Sequence, residues 1–98
     1  MPTIYEYLGI VILFYSREHE PIHIHAKYGD AKVKVSFYIE NKIIYKVTYT
    51  AIEGKFPEQK LKDLKKFVSI YKYRIVDKWI EYFDWKVKLK KEIITKKI

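Results

Sequence analysis

Three histidines, His19, His23 and His25, make up the whole histidine content of this chain and sit in one short stretch running from Arg17 to Asp30. Imidazole is the side chain that titrates nearest neutral pH, and in its neutral form it is the commonest metal ligand. His23 and His25 are two positions apart in an alternating segment, which puts them on one face of a strand. His19 precedes them in a turn punctuated by Pro21, from which it can fold back over the pair. Two chemistries follow. Three neutral imidazoles could hold a divalent transition metal such as zinc, with water or a nearby carboxylate (Glu18, Glu20 or Asp30) completing the shell. Alternatively, His23 and His25 could serve as general base and general acid on RNA. Arg17, Lys27 or Lys32 would then hold the phosphate, and Tyr28 would stack on a base. The bland alternative is that the imidazoles bond to carboxylates or carbonyls and fix the turn around Pro21. A fourth reading makes the same surface a contact for a protein. The chain has no cysteine, so thiolate metal sites and disulfides are excluded.

The elements that must carry these residues can be read from periodicity. Residues 1–8 form a short lead. Residues 9–16 are a continuous apolar, β-branched run, the signature of a buried strand. After the Arg17–Pro21 turn, residues 22–28 alternate, with Ile22, Ile24 and Ala26 on one face and His23, His25 and Lys27 on the other. Gly29-Asp30 makes a turn, residues 31–39 alternate again, Glu40-Asn41-Lys42 makes a hairpin turn, and 43–52 is a fourth strand. Strands joined this tightly pair antiparallel. Pro57 and Glu58 then open a helix, as a proline and an acid near an N-terminus should. Its stripe is Leu61, Leu64, Val68 and Tyr71, and Ile75, Val76, Trp79, Ile80 and Phe83 continue as a second helical pattern after a break near Tyr71–Arg74; no glycine or proline separates the two, so one long bent helix is the alternative reading. Past Trp85, Val87 and Leu89 alternate as in a short strand, and Ile93, Ile94 and Ile98 suit a last helical turn. The expected fold is α+β: a four-stranded antiparallel meander followed by two helices packed on one sheet face.

Size and charge set further bounds. Ninety-eight residues make one domain, 1–98, with a sheet half (1–54) and a basic helical half (55–98). A core this small makes a homodimer reasonable. The net charge is +8, and all of the excess falls in the second half. Lys62, Lys65 and Lys66 on the first helix, with Lys27 and Tyr28, are the candidate binding residues for an anionic partner such as RNA or DNA, the bland alternative being a lysine-rich, solvated helical surface. Tyr71, Trp79 and Phe83 fall on apolar stripes and are expected in the core. Tyr73, Tyr82 and Trp85, if exposed, would mark a partner surface. No stretch is apolar for long enough to span a bilayer, and no signal peptide is visible, so a cytoplasmic protein with no membrane role is expected.

Several segments together carry a resemblance. Met1-Pro2-Thr3-Ile4, Gly9-Ile10-Val11-Ile12, His19-Glu20-Pro21, His23-Ile24-His25-Ala26 and Tyr28-Gly29-Asp30 are followed by Gly54-Lys55-Phe56-Pro57, Leu61 and Trp79. The chain resembles the small prokaryotic family called domain of unknown function 4160 along nearly its whole length, most specifically in the histidine segment. It departs from the family pattern at Ile22, where a second proline is usual, in a longer stretch between Gly29 and Pro57, and in its tail past Trp79. The resemblance implies no established activity. It implies a small partner protein encoded alongside, and a component of a toxin–antitoxin-like pair.

Overall fold

Left-handed backbone at the turns folds the first half of the chain into hairpins. The structure is a computed structural model that describes residues 3–14, 21–86 and 89–97. Strands β1 (Thr3–Tyr7) and β2 (Ile10–Leu13) are joined by Leu8 and Gly9, both at positive φ, the two-residue turn whose twist matches a hairpin. Asn41 and Lys42, also at positive φ, join β4 (Ala31–Glu40) to β5 (Ile43–Glu53) in the same way. Between these hairpins, β3 (Ile22–Tyr28) turns into β4 through Gly29, at φ 58°. A helix, α1 (Glu58–Phe83), follows, and β6 (Glu92–Ile94) returns to the sheet. The sheet order is β5-β4-β3-β2-β1-β6, antiparallel throughout except for the parallel β1–β6 pair.

This corrects the expected four strands and two helices in three places. Residues 3–7 are not a lead but a strand, anchored by Ile4, Tyr5 and Tyr7, which are all fully buried. The helix does not break near Tyr71–Arg74. Nothing there removes a hydrogen bond, since it lacks both glycine and proline, and the four-residue step from Tyr71 to Ile75 keeps the apolar stripe in phase. Twenty-six residues therefore form one helix about 39 Å long. Ile93 and Ile94 belong to an edge strand rather than a helical turn, because the open side of β1 offers backbone partners to Glu92, Ile93 and Ile94, while Val87 and Ile98 of the expected tail elements lie outside the described residues.

One face of the sheet packs on α1. Phe67 stacks on Tyr7 at 5.1 Å and on Tyr71 at 4.4 Å, and Tyr5 meets both Phe67 and Tyr71 edge-on. Further along, Phe14 packs against Tyr82 and Phe83, and Trp79 against Phe83. These aromatic contacts, with Ile24, Val35 and Leu64, make the core. Two ion pairs lie at β6, which is also paired to β1 and packs Ile94 on the core. Lys78 pairs with Glu92 at 2.6 Å while its ammonium lies over the Tyr5 ring, and Lys91 pairs with Glu6 at 3.4 Å. Burial, together with the Glu92 carboxylate, holds the Tyr5 hydroxyl well above the usual phenol range. Among the described residues no helix is long and apolar enough to cross a membrane.

Candidate functional site

β3 presents its two histidines on the face away from α1, opposite Ile22, Ile24 and Ala26, as a period of two requires. The register sets His25 between Leu13 on β2 and Lys34 on β4, and His23 beside Ser36. The structure thus brings these two imidazoles together, with ring centroids 6.1 Å apart. Yet both are buried, His23 at 8% and His25 at 6% exposure. The Nδ1 of His23 lies 3.2 Å from the Pro21 carbonyl, a hydrogen bond it donates when that nitrogen carries the proton. Burial pushes the His25 pKa down to about 4, helped by the positive charge of His23, Lys32 and Lys34. At neutral pH His25 is therefore neutral. That is the ligand form for a metal, but it carries no proton to give as a general acid. His19 and Arg17, the third metal ligand and the phosphate-holding arginine of the sequence reading, lie outside the described residues. Among the described residues no group of three His, Asp or Glu side chains is placed to hold a metal ion.

The other candidate binding residues do not form one surface. Lys62, Lys65 and Lys66 are exposed on α1, while Lys27 is exposed on the opposite sheet face. Tyr28 belongs to neither group. It is half-buried on the helix side, 6.3 Å from the Phe56 ring and beneath the Lys60 ammonium, which also donates to the Leu8 carbonyl at 2.7 Å. Tyr28 is thus part of the junction between the sheet and the helix N-terminus, and Gly9 packs against its ring.

A second feature lies at the other end of the helix. A groove of about 690 Å³ opens between the tip of the β4–β5 hairpin and the C-terminal half of α1. Ile39, Ile44, Val76 and Ile80 supply apolar lining, with Trp85 on one wall and the carboxylates of Asp77 and Glu81 beside it. The Ile44 amide donates to the Tyr73 hydroxyl at 3.1 Å, tying the hairpin to the helix. Trp85 is 69% exposed and Ile43, on the hairpin, 60%. Of the three aromatic residues that sequence reasoning offered as a partner surface, Tyr73 and Trp85 are exposed, whereas Tyr82 is half-buried against Phe14. Asp77 and Glu81 had no sequence signal of their own, since they read as solvated helix positions.

The family model described as domain of unknown function (DUF4160) matches residues 9–80. That span holds β2 to β5 and nearly all of α1, and it leaves out β1 and β6. No curated protein and no solved structure matches the chain.

Proposed function

The chain belongs to the DUF4160 family, a domain of unknown function, and from that premise we propose that it is one component of a toxin–antitoxin-like two-protein module that acts by holding a partner protein. The observation that supports this reading is the apolar groove beside Trp85. Single exposed apolar side chains are ordinary on a small protein, but a groove of this volume flanked by an exposed tryptophan is the kind of place where binding energy concentrates. The buried histidine pair favours binding over catalysis. A ribonuclease using His23 and His25 would need a substrate to reach side chains that are less than a tenth exposed, and a proton on His25 that its low pKa withholds.

The test is titration of the purified chain with the small partner protein that the family resemblance implies, followed by calorimetry. Trp85→Ser should weaken the complex by roughly tenfold or more, the size expected of a tryptophan at the centre of an interface. His23→Ala, provided it folds, should leave the affinity within about threefold. An unchanged affinity in Trp85→Ser would remove the groove from the account.

A further inference from the structure

The sheet face away from α1 carries a charge pattern that the groove does not explain. Cross-strand register places Lys27 directly opposite Lys32, and Lys34 lies two residues further along β4 on the same face. Like charges facing each other across a ladder are unfavourable unless something neutralises them. Among the described residues, the carboxylate paired with this cluster is Glu53, 3.8 Å from Lys32 and largely exposed.

Along the same face, Thr50 of β5 lies opposite Lys34 and is exposed, and half-buried Thr48 lies opposite Ser36, which is itself buried, so the accessible hydroxyls belong to β5. The row ends in aromatic rings. Lys46 pairs with Tyr38 and lies 5.3 Å above its ring. The register jumps from Tyr38–Lys46 to Ile39–Ile44, which leaves Tyr45 unmatched, 62% exposed, with its ring 6.4 Å from that of Tyr38. A hollow of about 290 Å³ adjoins the two rings, lined also by Pro21, Phe37 and Ile39. From Lys32 to Tyr38 is about 20 Å of strand, the length of a few nucleotides.

We propose that this face of β4 and β5 binds single-stranded nucleic acid, with Lys27, Lys32, Lys34 and Lys46 on the phosphates and Tyr38 and Tyr45 under the bases. Lysine on a strand face gives affinity without base selectivity, and tyrosine rings stack on any base, so the surface reads shape and charge rather than sequence. A duplex, with its bases already stacked on each other, offers the rings nothing. The site meets the partner groove at Ile39, which lines both, but its lysines lie on the sheet face away from the helix.

Fluorescence anisotropy with labelled decamers of oligouridylate and oligothymidylate tests it, with the matching duplexes and inorganic polyphosphate as competitors. Binding to either single strand should weaken steeply with salt. The double variant Lys27→Ala/Lys34→Ala should reduce the slope of log K against log salt by roughly 1.4, two phosphate contacts' worth. Tyr45→Ser should weaken the oligonucleotide about tenfold and leave polyphosphate competition unchanged. Circular dichroism on each variant checks that it remains folded. Three results would overturn the proposal: no salt-sensitive binding, duplex or polyphosphate competing as well as the single strand, or loss of binding in Lys62→Ala/Lys65→Ala/Lys66→Ala but not in the sheet variants.

Discussion

His25 is the residue at which burial and charge act most strongly on one another. Its pKa falls from an ordinary 6.5 to about 4, first because the ring is buried and then because His23, Lys32 and Lys34 are positive. Between those two values the unfolded chain takes up a proton that the folded chain refuses. Stability is therefore complete above pH 6.5 and is lost as the pH falls from 6.5 towards 4, by at most about 3 kcal/mol. Solvent that reaches the ring would reduce that figure. Urea unfolding at pH 7, 5.5 and 4.5 should show the loss, and His25→Gln should flatten it; an equally steep dependence in the variant would place the titrating group elsewhere. Gly54 makes a separate point about backbone. It sits at φ 57°, and a Cβ there would lie 3.2 Å from the Asp30 carbonyl oxygen. Gly54→Ala should cost more than about 1 kcal/mol, from the left-handed backbone and the crowding together, as measured by the shift in the urea midpoint. A neutral result would mean that the β5–α1 junction relaxes freely.

At the scale of elements, β6 is held by its backbone ladder to β1, by Ile94 against the core and by two ion pairs at its edge. It has three residues, Ile93 is exposed, and Lys78–Glu92 and Lys91–Glu6 are its side-chain ties. Glu92→Ala should raise the exchange rate of the backbone amides in β6 while leaving those of β3 and β4 protected, as hydrogen exchange followed by mass spectrometry can read. Equal protection in both proteins would mean that the β1–β6 ladder is sufficient alone. The elements also show where sequence is readable. The alternation of Ile22, Ile24 and Ala26 against His23 and His25 specifies which way each side chain points on β3, because a strand has no other period. What alternation does not carry is depth: both faces of β3 are buried at these positions, in a strand flanked by β2 and β4 inside the sheet. The break in the helix was expected because two apolar stripes were read separately. Tyr71 and Ile75 are one helical turn apart, and with no glycine or proline between them there is no reason for the helix to stop. β1 was hidden because five residues are too few for a strong pattern, although Leu8-Gly9 was a hairpin signal waiting to be used. β6 was illegible for a different reason: its isoleucines take strand geometry only because β1 offers an edge.

Seen as a whole molecule, the two candidate surfaces lie on opposite sides of one sheet. The helix side carries an apolar groove with a tryptophan and two carboxylates beside it; the far side carries lysines, hydroxyls and two tyrosines. The excess of charge in residues 55–98 had pointed to the helix as the basic surface. In three dimensions the sheet contributes its own cluster, Lys27, Lys32 and Lys34, which sequence neutrality over residues 1–54 concealed. His23 and His25, from the histidine segment that stands out in the sequence, lie on the lysine-bearing face as a buried pair, beside Ser36 and Lys34. The central claim is that the protein works by holding a partner at the groove. Calorimetric titration with the small partner protein that the family resemblance implies tests that claim most directly, comparing the unaltered chain, Trp85→Ser and His23→Ala. The account predicts a roughly tenfold or greater loss of affinity in Trp85→Ser and little change in a folded His23→Ala. Full affinity in Trp85→Ser, with binding abolished in a folded His23→Ala, would contradict it and return the function to the histidines.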